Sequence, residues 1–174
     1  MKGVEKMKLS SKWKNWIAII DDKICEPCKA KHGQIYEISE DVSPSKLHPH
    51  CRCTIQRLKS LFAGEATDKA LDGADWHLKY NGKLPDYYIS KKYASSKGWQ
   101  NKKGNLSEVL PNLLIGGDVF YNTDGKLPQT KNRIWYEADI DYTSGYRNSK
   151  RILYSNDGLI FVTYNHYETF IEIR

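Results

Sequence analysis

All four cysteines of this 174-residue chain fall between Cys25 and Cys53, and the 121 residues that follow contain none. A small secreted disulfide scaffold spreads its bridges through the fold. The C-terminal part must therefore hold together by packing alone. The cysteines form two close pairs, Cys25-Glu-Pro-Cys28 and Cys51-Arg-Cys53, with His48 and His50 just ahead of the second. Zinc takes four nitrogen or sulfur ligands in a tetrahedron, and two such pairs joined by a turn supply them. The C-x-x-C half is well spaced for this. The C-x-C half is tight, so His48 or His50 is an alternative ligand in place of one thiolate. Two disulfides, or reduced cysteines without metal, are the other readings of the same residues.

The charge divides at the same place. Residues 1–64 carry 12 basic and 7 acidic side chains, a net +5, whereas residues 65–174 carry 15 and 14, a net +1. The formal +6 and a pI near 9.0 are a weak pointer to an anionic partner such as nucleic acid. Two units are expected, with a boundary near Leu61–Glu65. A basic lead over 1–20 reads as a short helix or as unstructured chain. A turn-rich Cys/His metal-binding module with Pro27, Gly33, Pro44 and Pro49 fills 21–60. A core-forming domain then occupies 65–174. Lys2, Lys6, Lys8, Lys12 and Lys14 resemble the start of a secretory signal, but the apolar stretch Trp16–Ile20 is shorter than the roughly 7–15 residues such a signal needs. No run approaches the ~18 apolar residues of a membrane span. The chain is expected to be a monomer.

From Glu65 onward, Ala66, Ala70, Leu71, Ala74 and Leu78 recur at helical spacing and stop at Asn81-Gly82. Ser90 is placed to cap a second short helix closing at Gly98, and Asn105 a third ending before Pro111. Five strand-like runs follow: Leu114–Phe120, Ile134–Ile140, Arg151–Ser155, Leu159–Asn165 and Thr169–Ile173. Three short helices packed on a mostly antiparallel five-stranded sheet make an α+β fold. Alternation in Arg133–Asp141 puts Ile134, Tyr136, Ala138 and Ile140 on a core face. Arg133, Trp135, Glu137, Asp139 and Asp141 share the other, which is either a charged surface or the floor of a site.

Arg147 and Arg151 flank a hairpin-like turn, and His166-Tyr167 lies in the last one. One antiparallel sheet can bring a carboxylate, two guanidiniums and an imidazole together. That set suits phosphodiester cleavage, in which a base takes a proton, an acid returns one, and fixed cations hold a phosphate whose charge rises. By spacing alone, such residues are more often solvated charges and a capped turn than a site.

The stretches KLPDYYISK (83–91), KGNL (103–106), IGGD-F (115–120), GKLP (125–128), EADI-YTSG-RNS (137–149), RILYS (151–155) and HY-TF--IR (166–174) occur in an order and ungapped spacing that resemble the barnase-like microbial guanyl-preferring ribonucleases. The resemblance covers residues 71–174 and implies the microbial ribonuclease fold. It implies Glu137 as general base and His166 as general acid, with Lys91, Arg147 and Arg151 binding the scissile phosphate. No cofactor would be needed. It places base recognition in the loop Phe120, Tyr121, Asn122, Thr123 and Asp124, with Tyr146 and Tyr167 as flat surfaces nearby. Two neighbouring arginines are expected to keep Glu137 ionised. Asp118, Lys126, Arg133 and Asp139 read as ion pairs holding loop and sheet, with Asp139 a partner for Arg147. Trp99 and Trp135 read as core. Two departures stand at the base: Asp124 where the family usually has Glu, and Thr123 where an Arg is found. Gly82 and Gly158 also replace a His–Trp pair.

The string CEPCKAKHGQIYEI with LHPHCRC resembles the tail of Mu F-like phage head morphogenesis proteins. A module of that kind joined to a C-terminal nuclease looks like a polymorphic toxin, an exported effector acting in the cytoplasm of a target cell. A barstar-like inhibitor with an acidic surface is implied as partner, besides RNA. The competing reading is a structural phage head or nucleic-acid-binding protein with an inactive ribonuclease-like domain.

Overall fold

The structure, a computed structural model, describes residues 11–174; expectations for residues 1–10 lie outside the described residues. The described residues open with strand β1 (Trp13–Ile17), helix α1 (Glu26–Lys31), β2 (Ile35–Glu37) and β3 (Thr54–Arg57). The three strands form an antiparallel sheet in the order β2-β1-β3. This corrects the expectation of a helical or unstructured lead. Apolar residues three apart suit a helix, but in a strand they point to opposite faces. Trp13 and Trp16 use that geometry, for both are almost fully buried, on different sides of β1. Trp16 packs with Ala18, Cys28 and Cys53. Trp13 packs with Ile35 and Leu58 into a cluster that also holds Leu127, Trp135, Leu153, Phe161 and Phe170 of the C-terminal part.

The larger layer continues through β4 (Ser60–Leu61), α2 (Ala74–Asn81), β5 (Tyr88–Ile89), α3 (Lys91–Ser96), α4 (Leu106–Val109), β6 (Leu114–Phe120), β7 (Trp135–Asp139), β8 (Arg151–Ser155), β9 (Ile160–Thr163) and β10 (Ile171–Ile173). These strands make a seven-stranded sheet in the order β4-β10-β9-β8-β7-β6-β5. The expected five strands, β6 to β10, are antiparallel throughout. Two short strands, β4 and β5, add parallel edges. Each is two residues long, too short for an alternation to show in the sequence.

The helices are shorter than their periodicity predicts. α2 starts at Ala74 rather than Ala66 because the fully buried carboxylate of Asp75 takes the Gly64 and Ala66 N–H groups, at 2.7 and 2.9 Å, and the Thr67 hydroxyl. Those donors are thereby drawn into a loop folded over the helix start. Ser90 caps α3 as expected, accepting from Tyr93 N–H. Asn105 does not cap α4; its side chain accepts from Gln100 N–H at 2.8 Å and donates to the Gly98 carbonyl, closing the preceding loop. α2 packs on the sheet through Ala74 and Leu78 against Ala138, Ile140, Ile152, Ile160 and Val162. Trp99, Ala94 and Leu106 form a second core beneath Leu114 and Ile115.

β7 departs from its predicted faces. Ala138 and Ile140 are core, but Ile134 is 45% exposed and Trp135, expected on the polar face, is 1% exposed. The second face of the sheet is divided: the N-terminal sheet covers it at Trp135, and it opens at Glu137. Burying Trp135 and Trp13 in one cluster makes the N-terminal strands part of the core of the large sheet. Trp13→Ala is therefore expected to destabilise the unfolding transition of the large sheet, followed by denaturant titration, by about 3–5 kcal/mol.

Candidate functional site

β7 carries Glu137 and Asp139 side by side on one face, and neighbouring elements converge on them. A bulge in the β6–β7 ladder skips Gly117 (φ +89°), so that Asp118 pairs opposite Glu137. Asp118 then accepts the backbone N–H of Lys91 at 3.0 Å, which seats the first residue of α3 over the site. Lys91 Nζ donates to Glu137 Oε1 at 2.5 Å, and the Tyr167 hydroxyl donates to Glu137 Oε2 at 2.5 Å. Arg147 comes within 3.9 Å of the same carboxylate.

Asp139 is wholly buried and holds both arginines. It accepts two hydrogen bonds from Arg147, at 2.6 and 2.7 Å, a bidentate pair that fixes the guanidinium plane. Arg151 Nε lies 2.9 Å from Asp139 Oδ1, but its N–H has no hydrogen-bond partner, so that contact is purely electrostatic. The Arg151 guanidinium is anchored instead by the carbonyls of Asn148 and Lys150, at 2.7 and 2.6 Å. The expected Asp139–Arg147 pair is present. Of the two arginines expected to keep Glu137 ionised, Arg147 contributes at 3.9 Å while Arg151 is taken up by Asp139 and the backbone carbonyls, and Lys91 is the nearest cation.

Burial pushes the Glu137 carboxyl up, but the hydrogen bonds from Lys91 and Tyr167 and the charges of Lys91 and Arg147 outweigh it and hold its pKa below the ordinary carboxylate value. Burial and the adjoining Glu137 carboxylate push the Tyr167 phenol well above its usual value, so it remains a donor. Tyr167 thus does more than the flat surface expected of it, since its ring also stacks on Phe120 at 5.2 Å between centroids.

His166 and Tyr167 both adopt left-handed backbone, at φ +55° and +67°, a conformation uncommon in residues other than glycine. The turn is held by His166 N–H donating to the Ser149 carbonyl at 3.0 Å and Tyr167 N–H to Thr163 Oγ1 at 3.0 Å. Asn165 clamps it further, accepting from Thr163 and Thr169. The imidazole is exposed, with its ring 4.9 Å from that of Tyr167.

A cavity of about 390 Å³ opens beside this cluster, lined by Lys91, Glu137, Tyr167 and the whole loop Phe120, Tyr121, Asn122, Thr123 and Asp124. Lys126 and Phe170, to which the sequence assigned no part in the site, also line it. The Asn122 amide spans the loop, donating to the Leu127 carbonyl and accepting its N–H at 2.8 and 3.0 Å. An Asn two residues before Asp-Gly was the signal for such a brace. Tyr146 lies outside this cavity; it is 69% exposed, and its hydroxyl donates to the Lys102 carbonyl. Of the other predicted ion pairs, Arg133 pairs with Asp157, and Lys126 makes a hydrogen bond to the Tyr167 carbonyl rather than an ion pair.

In the N-terminal part the four cysteines are free thiols. Cys25, Cys28 and His48 converge in one group and Cys28, Cys51 and Cys53 in a second, with donor atoms within 4.8 Å of one another in each. His48 Nε2 lies 3.2 and 3.0 Å from the sulfurs of Cys25 and Cys28, and Cys28 and Cys51 are 3.4 Å apart. Tetrahedral zinc with these ligands has edges of roughly 3.5–3.8 Å, so the spacing fits a metal after small movements. His48 Nδ1 donates to the Pro49 carbonyl, which turns the Nε2 lone pair toward the thiols. His50 is not brought into either group.

A carboxylate held ionised under a lysine and two clamped guanidiniums thus gather on one face of β7 and β8, with an exposed imidazole in the turn between β9 and β10. The family model described as ribonuclease matches residues 71–174, and the chain belongs to that barnase-like microbial ribonuclease family. Ribonuclease of Heyndrickxia coagulans is 52% identical over 110 residues, covering 63% of this chain and 100% of the relative. Ribonucleases of Bacillus intermedius and Bacillus pumilus are also 52% identical over 110 residues, covering 63% of this chain and 67% of each relative.

Because the folded pKa of Glu137 lies below its unfolded value near ~4.3, its charge adds stability above that pH, and this is lost as pH falls through the folded value. Lys91→Met is expected to move the Glu137 titration, followed by carboxyl NMR, to higher pH. An unchanged titration would mean that Lys91 does not set this charge.

Proposed function

We propose that the chain is an endoribonuclease that cleaves single-stranded RNA 3′ of guanosine, without a metal, by transesterification. The observation that carries this reading is the ionised Glu137 between Lys91 and Tyr167 at the mouth of the cavity formed by the Phe120–Asp124 loop. Glu137 takes the proton of the ribose 2′-hydroxyl, and the 2′-oxygen attacks phosphorus. The bond from phosphorus to the 5′-oxygen breaks, and His166 returns a proton to that leaving oxygen. Lys91, Arg147 and Arg151 stabilise the growing phosphate charge, work done elsewhere by metal ions. The 2′,3′-cyclic phosphate is then hydrolysed with the two proton roles reversed. DNA lacks the nucleophile.

Guanine preference rests on the Asn122-braced loop and the Asp124 carboxylate, which matches the donors of the guanine Watson–Crick edge. Asp124 is one methylene shorter than the Glu usual in the family, and Thr123 removes a positive charge beside the base, so the preference is expected to be similar in kind and different in strength. Intact base, acid and cations favour this reading over an inactive structural or nucleic-acid-binding protein. The chain further reads as the toxin domain of a phage-type or polymorphic toxin, exported and acting in a target cytoplasm, with an acidic barstar-like inhibitor as partner. Among the described residues no helix is long and apolar enough to cross a membrane. The N-terminal cluster reads as a structural zinc site built from Cys25, Cys28, Cys51 and Cys53, with His48 as the alternative ligand.

In excess EDTA the protein is expected to degrade RNA and leave DNA intact; DNA cleavage, or RNA cleavage lost with the metal, would sink the mechanism. Glu137→Ala and His166→Ala should each lower kcat by roughly 10²–10⁴-fold. Near-normal turnover in both would place the site elsewhere. Elemental analysis of protein purified without chelator should find about one zinc per chain, lost in Cys28→Ser.

A further inference from the structure

The family match begins at residue 71, so the N-terminal sheet and its Cys/His loop lie outside the ribonuclease fold itself. They nevertheless reach the catalytic pocket through one segment. Ile35 N–H donates to the Lys126 carbonyl at 2.8 Å. The Gly33 backbone (φ +81°) runs along the Lys126 side chain, where a Cβ would stand 3.5 Å from both Cδ and Cε. Gly33 is in turn pinned by its N–H to the Trp16 carbonyl at 2.8 Å, so the turn cannot drift from β1. From this clamp Lys126 extends to the Tyr167 carbonyl, donating at 3.0 Å. Tyr167 is the residue whose hydroxyl holds Glu137 and whose ring stacks on Phe120.

We propose that the N-terminal module is a positioning element for the ribonuclease pocket, acting through Lys126. The module fixes the Lys126 backbone and the course of its side chain, and Lys126 fixes Tyr167 at the turn where two residues hold unfavourable left-handed backbone. The next residue, Leu127, is the one the Asn122 amide spans, and it is buried in the same cluster as Trp13 and Ile35. One contact therefore sets both walls of the pocket: the base loop on one side and Tyr167 on the other. Among the described residues Lys126 makes no hydrogen bond to Glu137 or to the arginines, and it reaches the base only through Tyr167, so its main effect falls on the pocket walls that bind substrate. Charge alone is not its role, because its ammonium is spent on a carbonyl.

This inference rests on the ribonuclease reading, and the experiment separates the two. Full-length wild type, Lys126→Met and Gly33→Val are compared for KM and kcat on a guanosine-containing dinucleotide, for binding of guanosine 3′-monophosphate, and for Tm. Met keeps the length of Lys126 but loses the hydrogen bond, and Val pushes the turn off Lys126 from the module side. Each variant is expected to raise KM and weaken nucleotide binding by about three- to tenfold, the net range of one ordinary hydrogen bond, with kcat within about twofold. The double variant should be no worse than the poorer single one, since both break one path. KM and nucleotide binding unchanged in folded Lys126→Met, or effects that multiply in the double variant, would overturn the positioning role. A kcat loss at constant KM would overturn it too. A wild type that does not cleave RNA would instead overturn the ribonuclease reading beneath it.

Discussion

Two carboxylates stand two residues apart on one face of β7, and both are nearly removed from water, with Glu137 7% and Asp139 0% exposed. Burying two like charges this close costs several kcal/mol per ion unless each is matched. Matching them dictates much of the surrounding architecture. Asp139 takes Arg147 in bidentate fashion and Arg151 by charge, which ties the turn after β7 to the start of β8. Glu137 takes Lys91, and this requires α3 to begin where Asp118 can accept its first N–H. The bulge at Gly117 exists in the register that puts Asp118 there. Cations that would repel one another in isolation are packed together because the carboxylates beneath them are fixed.

The opposite end of the same strand shows how the N-terminal sequence enters the fold. Trp135 lies on the face of Glu137, but Trp13, Ile35 and Leu58 cover it. β1 carries this off by presenting Trp13 to the large sheet and Trp16 to the cysteines. A segment of this size holds too little apolar surface to be stable alone. Here it draws stability from both sides, the ribonuclease core and the sulfur-rich cluster, and a bound metal would add to the second.

Five strands of the large sheet were legible because they are runs rich in apolar, β-branched and aromatic residues that end at strong turn residues such as Asn156-Asp157-Gly158. β1 was not, because Trp13 and Trp16 are spaced as a helix would space them, and their partners lie far along the chain. The candidate site could be named from its resemblance to a family, and Glu137, Lys91, Arg147 and Tyr167 do converge. The Asp139–Arg147 pair was legible too; what stayed hidden was that Lys91 is the nearest cation to Glu137. Asp139 outcompetes Glu137 for the arginines through depth of burial, and burial is set by tertiary packing. Lys126 was hidden for the same reason, since its clamp is made by Gly33 and Ile35, more than ninety residues away. The start of α2 was misplaced because Asp75, which reads as an ordinary helix residue, is a buried acceptor that captures the loop before it.

The grip on Glu137 has a consequence for the proposed reaction. A carboxylate held between an ammonium and a phenol is firmly ionised but weakly basic, since both partners lower its affinity for a proton. Lys91 is the more exposed member of that pair, 39% against 9% for the Glu137 side chain. A scissile phosphate arriving beside it competes for the same ammonium with a full negative charge. As Lys91 turns to the phosphate, Glu137 loses its strongest neighbour while remaining buried, and desolvation then raises its basicity. Arg147 and Arg151 are held by Asp139 and the backbone carbonyls. In the proposed reaction that anchored pair would define where the phosphate sits, and the more exposed Lys91, shared between phosphate and Glu137, would make the base effective only once the phosphate is there.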